Sequence, residues 1–344
     1  MTPSDSVETA LERGRREINA VLDEEVPVVP PESLYRAARH LLDAGGKRLR
    51  PTILLLSAEA LADVDPGSRD YRTFPTADGG HIDLLSAAVS IEIIQSFTLI
   101  HDDIMDDDDL RRGVPAVHRE FDLSTAILAG DTLYAAAFEK MLATGARPER
   151  TVRALSALAR TCTEICEGQS FDIEFEKRAT VTSEEYLDMV ELKTAVLFAA
   201  AASLPATILG HDEAVDPLYG YGIDVGCAFQ IQDDLLDLTT PTEKLGKQRG
   251  SDLVEGKRTL VTVHAREQGV DVENLVDSDS VDSVTEAEID AAVDRLESAG
   301  SIEYARERAN DLIVRGTGRL DALPDNEARS LLEGIGEYLV EREY

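Results

Sequence analysis

Apolar positions recur at helical spacing along most of the chain. VRALSALARTCTEICEG (152–168), SEEYLDMVELKTAVLFAAAASLPATIL (183–209) and EARSLLEGIGEYLVERE (327–343) combine that period with good helix formers. LLSAAVSIEIIQSFTLIHDDIMD (84–106) reads as one further long helix, and no convincing series of alternating strands is present. Turn signals divide the helices at Gly45–Gly46, at DPGSRDYRTFPTADGG (65–80) and at TTPTEKLGKQRGS (239–251). The 65–80 stretch carries no obvious chemistry. The acidic stretch 270–290 reads as a solvated connector and helix start. One all-helical domain over residues 1–344 fits this pattern better than two.

Composition narrows the function. Lys+Arg is 34 against Asp+Glu 67, a formal net charge of −33. Such a field repels nucleic acid and anionic membranes, and the excess of acid over lysine resembles proteins of salt-loving organisms. No run of about 18 consecutive apolar residues is present, so no membrane span is expected. The first residues lack the apolar stretch of a signal peptide. Cys162, Cys166 and Cys227 form no CxxC pair and read as small buried thiols. The expectation is a cytoplasmic protein with no stable membrane insertion.

Acid is concentrated where it is least expected. Six aspartates fall within eight residues, Asp102 to Asp109, directly after the apolar run AAVSIEIIQSFTLI (87–100), and Arg111 and Arg112 follow. In so acidic a chain about two or three DDxxD-type patterns would arise by accident. Alone, the pattern could be a solvated helix end. Its surroundings point elsewhere. On a helix Asp102 and Asp106 share a face, with Asp103 about 100° away toward a flank. Hard oxygens so placed suit Mg²⁺ that keeps waters and shares a phosphate. GCAFQIQDDLLDL (226–238) repeats the geometry with Asp233 and Asp237 beside Asp234, again at the end of an apolar helix. Two such faces opposed in a bundle could hold several Mg²⁺ around a diphosphate. Asp172, three residues after Gln169, offers a third acid. Four of the seven lysines, Lys47, Lys193, Lys247 and Lys257, lie in segments that would bind diphosphate. His101 beside the aspartates reads more simply as a packing or capping residue than as a ligand.

Seven ordered blocks now stand together: GGKRLRP, LIHDDIMDDDDLRRG, GDTLY, GQSFD, LKTAVLF, FQIQDDLLD and LGKQRGSD–EGKRTL, spanning about residues 45–260. In these the chain resembles the trans-isoprenyl diphosphate synthases, which include the farnesyl and geranylgeranyl diphosphate synthases. The resemblance implies a single all-α bundle of the isoprenoid synthase type, with a central apolar cavity and a homodimeric assembly. It implies Mg²⁺-dependent head-to-tail condensation of isopentenyl diphosphate with dimethylallyl, geranyl or farnesyl diphosphate. Asp102 and Asp106, assisted by Asp103, match the first metal motif, and Asp233 with Asp237 the second. Arg111, Lys193, Lys247 and Lys257 match contacts to the allylic diphosphate. Lys47, Arg50, Gln95 and Arg112 match the isopentenyl diphosphate site, and Thr194 and Gln230 the residues lining the reacting carbons. Gln248 stands where many relatives have Pro. Phe97, five residues before Asp102 with small Thr98 after it, matches the chain-length position of archaeal-type geranylgeranyl synthases. It implies a C20 product, with C25 the main rival and C15 an intermediate.

Terpene cyclases and head-to-head condensing enzymes share the acidic motifs but need no isopentenyl diphosphate site, so Lys47, Arg50 and Arg112 argue against them. A noncatalytic synthase subunit would carry damaged motifs. A cation-binding acidic protein gives no reason for the lysine placement.

Overall fold

The computed structural model describes residues 3–241, 249–276 and 284–341. Helices dominate it, as the apolar period requires. In order they are α1 (Pro3–Glu25), α2 (Glu32–Asp43), α3 (Leu49–Ala62), α4 (Leu84–Met105), α5 (Val117–Glu120), α6 (Leu123–Leu142), α7 (Pro148–Lys177), α8 (Ser183–Val190), α9 (Val196–Leu209), α10 (Val215–Thr239), α11 (Ser251–Val254), α12 (Leu260–Glu267), α13 (Glu286–Ser298), α14 (Ser301–Arg319) and α15 (Glu327–Glu341). Local chemistry sets several starts. Asp83 and Asp122 accept backbone N–H groups at the starts of α4 and α6. Thr182 with Glu185, and Thr285 with Glu288, form capping boxes at the starts of α8 and α13. The 270–290 segment thus does contain a helix start. Two antiparallel hairpins of two residues per strand, β1–β2 (Phe74–Pro75, His81–Ile82) and β3–β4 (Leu110–Arg111, Val114–Pro115), were not expected from sequence. Strands this short show no alternation.

The chain forms two compact units, each assembled from several segments. The first comprises Met1–Cys162, Leu197–Tyr219 and Leu320–Gly334. Its centre is α4, whose residues 84–94 are all buried and which packs against α1, α2, α3, α5 and α6. Almost all of α3 is buried too, including the polar Thr52, Ser57 and Glu59. The 65–80 segment gains a structural role here. Tyr71 Oη and Gly67 N both donate to Oε1 of the buried Glu59, at 2.7 and 2.6 Å, offsetting part of the cost of burying its charge. The second unit comprises Thr163–Val196, Gly220–Arg319 and Ile335–Tyr344. There α12 packs against α8, α13 and α14.

Leu84–Met105 and Ser183–Leu209 are long and apolar enough to cross a membrane by length and composition. Their most apolar windows are 78% and 89% buried inside the protein, which makes them core helices. Cys162 and Cys227 are buried as expected, whereas Cys166 is exposed.

The charge of −33 has a measurable consequence. Self-repulsion reaches about 30 Å at 0.01 M salt and about 3 Å at 1 M. The melting temperature should therefore rise steadily with KCl. A flat or falling series would show that repulsion does not limit stability.

Candidate active site

Both aspartate sets occupy the last turns of their helices. Asp102 is in the final turn of α4 and Asp106 is its C-cap, with Asp106 N donating to Asp102 O at 2.8 Å. The helical i, i+4 relation is therefore kept. A helix C-terminus carries about half a negative charge, so acids there are unfavourable without a cation. Asp102 is half-buried and Asp106 exposed.

The remaining acids of the run have other work. Asp103 is fully buried and pairs with Arg111, which donates from Nε at 2.6 Å. Burial pushes the Asp103 carboxyl up to about 6, against the pull of Arg111, and Asp108 and Asp106 add to the rise. Among the described residues its Oδ2 has no hydrogen-bond partner. Arg111 also holds Asp108 at 2.7 Å. Arg119 donates to the Asp107 backbone and side chain at 2.9 and 2.7 Å and lies 2.8 Å from Asp109. Asp108 is thus fastened to Arg111 of the β3–β4 hairpin, and Asp107 and Asp109 to Arg119 of α5. His101 packs on α6, its Nε2 3.3 Å from Ile127 O, and Gly130 leaves space for the ring: a Cβ there would lie 2.3 Å from it.

The same unit holds a cationic loop. Gly45 and Gly46 adopt φ of 91° and 143°, conformations that favour glycine. Arg112 donates to Leu41 O at 3.0 Å and Gly45 O at 2.5 Å, fixing that loop. Arg48 is buried against Glu92 and donates to Asn19 at 3.0 Å and Leu42 O at 2.6 Å. It is a framework residue, and Glu92, which also lies 3.8 Å from Arg112, is a hub that sequence reasoning missed. Lys47 is exposed. Half-buried Arg50 sits over the Phe198 ring at 4.1 Å. Desolvation, with Arg112 adding to it and Glu92 opposing it, pushes its pKa down to about 10. Arg50 remains charged at neutral pH, in a setting that an anion would stabilise. Gln95 lies one turn after Glu92, half-buried.

The second unit contains the other motif. Asp233 is exposed; Asp234 and Asp237 are buried. Asp237 accepts from Ser251 Oγ at 2.9 Å and Asp252 N at 3.2 Å, so its carboxylate anchors the start of α11. Asp234 accepts from Tyr186 Oη and from Gln230 Nε2, the latter at 2.9 Å. Gln230 Oε1 accepts from Thr194 at 3.1 Å. Lys193 pairs with Asp172 at 2.5 Å. Lys257 lies 3.2 Å from Glu255 and 3.6 Å from Asp252. Lys247 and Gln248 fall outside the described residues. Lys193 and Thr194 ride on a single π-turn, Glu191–Ala195, between α8 and α9. Such turns concentrate at functional sites, and the apolar pattern gave no sign of this one. Gly168 of α7 lies against it: a Cβ there would be 2.3 Å from Lys193 N. Gln169 is buried, and neither of its amide atoms has a hydrogen-bond partner among the described residues. It is a polar group available to a ligand, in the same GQSFD block as Asp172.

A family model described as polyprenyl synthetase matches residues 31–296. The chain belongs to the polyprenyl synthetase family. It is 67% identical to a geranylfarnesyl diphosphate synthase of Natronomonas pharaonis, with all of both chains aligned. It is 46% identical to a geranylgeranyl pyrophosphate synthase of Geoglobus acetivorans over 95% of this chain and 96% of that one. A crystal structure of geranylgeranyl pyrophosphate synthetase from Pyrococcus horikoshii superposes with a TM-score of 0.87 at 38% identity, covering 99% of each chain. The all-α fold, the prenyltransferase activity and the short-chain prenyl condensation expected from the sequence all stand.

Proposed function

We propose that this polyprenyl synthetase condenses isopentenyl diphosphate with allylic diphosphates in a Mg²⁺-dependent reaction and carries the chain to geranylfarnesyl diphosphate (C25). The observation that carries the reading is the placement of Asp102 and Asp106, one turn apart at a helix C-terminus. Among the described residues no three His, Cys, Asp or Glu side chains converge into a complete metal cage. That suits Mg²⁺, which keeps waters and takes its remaining ligands from a substrate phosphate. Asp102 and Asp106 of the first unit would hold it, with the unpartnered oxygen of Asp103 in support, and Asp233 of the second unit would hold another. Asp237 is better suited to anchoring α11. Bound metal would neutralise charge on the departing diphosphate.

The chain's own groups would do the rest. Arg111, Lys193, Lys257 and Lys247 would meet the allylic diphosphate, Arg111 and Lys193 by exchanging Asp103, Asp108 and Asp172 for phosphate oxygens. Lys47, Arg50, Gln95 and Arg112 would bind isopentenyl diphosphate, and the depressed pKa of Arg50 supports an anionic partner there. Thr194 and Gln230 would turn acceptor oxygens to the electron-poor allylic carbon, in a setting that excludes water. Fixing both substrates replaces a bimolecular encounter. The full-length match to the 67% relative supports one catalytic domain over 1–344, and a cytoplasmic location is the one we favour. A homodimer is the assembly we favour. Its support is a stripe of exposed apolar side chains on α6, Leu123, Ile127, Tyr134 and Leu142, suited to a second copy.

Product length has two readings. C25 is supported by that relative and by the setting of Phe97. Its ring packs on His101 at 4.9 Å and on Tyr134 at 5.2 Å, within the α4–α6 seam. C20 is supported by the sequence position of Phe97 and by the Geoglobus relative. Chromatography of the dephosphorylated alcohols at completion separates them: a C25 end product supports the proposal and a C20 end product the alternative. With Phe97 packed in the seam, Phe97→Ala should cost about 3 kcal/mol of stability and leave the end product unchanged. A lengthened product from that variant would make Phe97 the floor of the cavity.

A further inference from the structure

The acceptor role of Thr194 and Gln230 depends on which way their protons point. Either side chain can donate as well as accept. An amide N–H or hydroxyl proton aimed at an electron-poor carbon would oppose its formation. Something must hold Gln230 in one of its two amide orientations.

The second unit contains such a device. Tyr186 and Asp234 are buried side by side, Tyr186 donating to Asp234 Oδ2. Asp234 Oδ1 accepts from Gln230 Nε2 at 2.9 Å, and Gln230 Oε1 accepts from Thr194 Oγ1 at 3.1 Å. We propose that Tyr186 and Asp234 are positioning residues that fix the direction of this hydrogen-bond chain, so that Thr194 and Gln230 offer lone pairs to the reacting carbon. Both Asp234 oxygens accept in this arrangement, so Gln230 turns its N–H group to Asp234 and its oxygen to Thr194. Thr194 then commits its proton to Gln230. What remains on this pair is acceptor character, complementary to positive charge. Asp234 acts through Gln230 and is not itself a metal ligand, although it stands beside Asp233. Tyr186 completes the arrangement by engaging the other carboxylate oxygen, which would otherwise be buried without a donor.

This rests on the prenyl-transfer reading of Thr194 and Gln230, and a charge-conserving swap tests it. In Asp234→Asn the Tyr186 hydroxyl still requires an acceptor, so the new amide turns its oxygen to Tyr186 and its N–H to Gln230. Gln230 must flip, and Thr194 receives a donor instead of giving one. The loss should fall on kcat, by roughly 10²-fold, as for removal of one preorganised electrostatic group. KM for both diphosphates should hold within about twofold, because they are bound elsewhere. Gln230→Glu alone sets two carboxyl groups against each other and should also lose kcat. Combining Asp234→Asn with Gln230→Glu restores a donor facing an acceptor and lets Thr194 donate again. The double variant should exceed each single variant in kcat by about tenfold, a coupling that independent losses cannot produce. Should Asp234→Asn fail to fold, the comparison of Gln230→Glu with the double variant carries the test. A double variant no better than Gln230→Glu alone overturns the inference while leaving the function standing. Wild-type protein that forms no prenyl product in the same assay overturns the function itself.

Discussion

Asp102→Ala should lower kcat by roughly 10³-fold at saturating Mg²⁺ while the melting temperature holds or rises. The two effects separate because Asp102 adds negative charge to an already negative helix end. It lies in the last turn of α4, next to the negative helix end and within a run of five further aspartates. Removing one such acid from a C-terminal turn is worth about 0.3–1 kcal/mol in the stabilising direction. Asp233→Ala should behave in the same way, since Asp233 is exposed near the end of α10. Asp103→Ala is the contrasting case. It removes the buried partner of Arg111 and should cost both stability and activity, because the guanidinium is left without its main counter-charge. Steady-state kinetics across a Mg²⁺ series, with thermal melts of the same preparations, reads both effects. Near-normal turnover in Asp102→Ala or Asp233→Ala would remove the metal assignment.

Gly168→Ala should be nearly as damaging, by a different route. The added Cβ would stand 2.3 Å from Lys193 N and 2.7 Å from Lys193 Cα. Both are backbone atoms and cannot swing aside. The π-turn that carries Lys193 and Thr194 must shift by about an ångström, and a displacement of that size costs about 10²-fold in rate. Overpacking of this kind also costs about 1–3 kcal/mol of stability. Ser170→Ala, two residues along and exposed, is the control that should change neither. Unimpaired turnover by a folded Gly168→Ala protein would mean that the π-turn geometry is not needed for catalysis.

The long helices were legible because burial imposes a period that a single chain displays. Residues 84–106 and 183–209 display it, and the structure has helix throughout both, apart from the C-cap turn at Asp106 and the π-turn. That turn was invisible because one inserted residue leaves the apolar run apolar. The room it needs lies across a contact, in the missing side chain of Gly168. Adjacent charges were the other limit. A helix separates neighbours by about 100°, so Asp233 and Asp234 face different surroundings, one exposed and one sealed against Tyr186. Sequence can place both on a motif, but only packing decides which meets solvent. The same holds for Arg48, buried on Glu92, against Arg50 two residues on. The partners of Asp107, Asp108 and Asp109 carry no signal in the sequence either: Arg111 of the hairpin meets Asp108, and Arg119 of α5 meets Asp107 and Asp109.

The most direct test of the account is a single incubation. Purified protein in molar KCl receives Mg²⁺, labelled isopentenyl diphosphate and farnesyl diphosphate, with a parallel sample in excess chelator. After dephosphorylation the alcohols are resolved by chain length. The account predicts labelled all-trans alcohols longer than farnesol, ending at C25, and none in the chelated sample. Label that stays entirely in isopentenyl diphosphate with Mg²⁺ present, or elongation that proceeds equally in chelator, would contradict it.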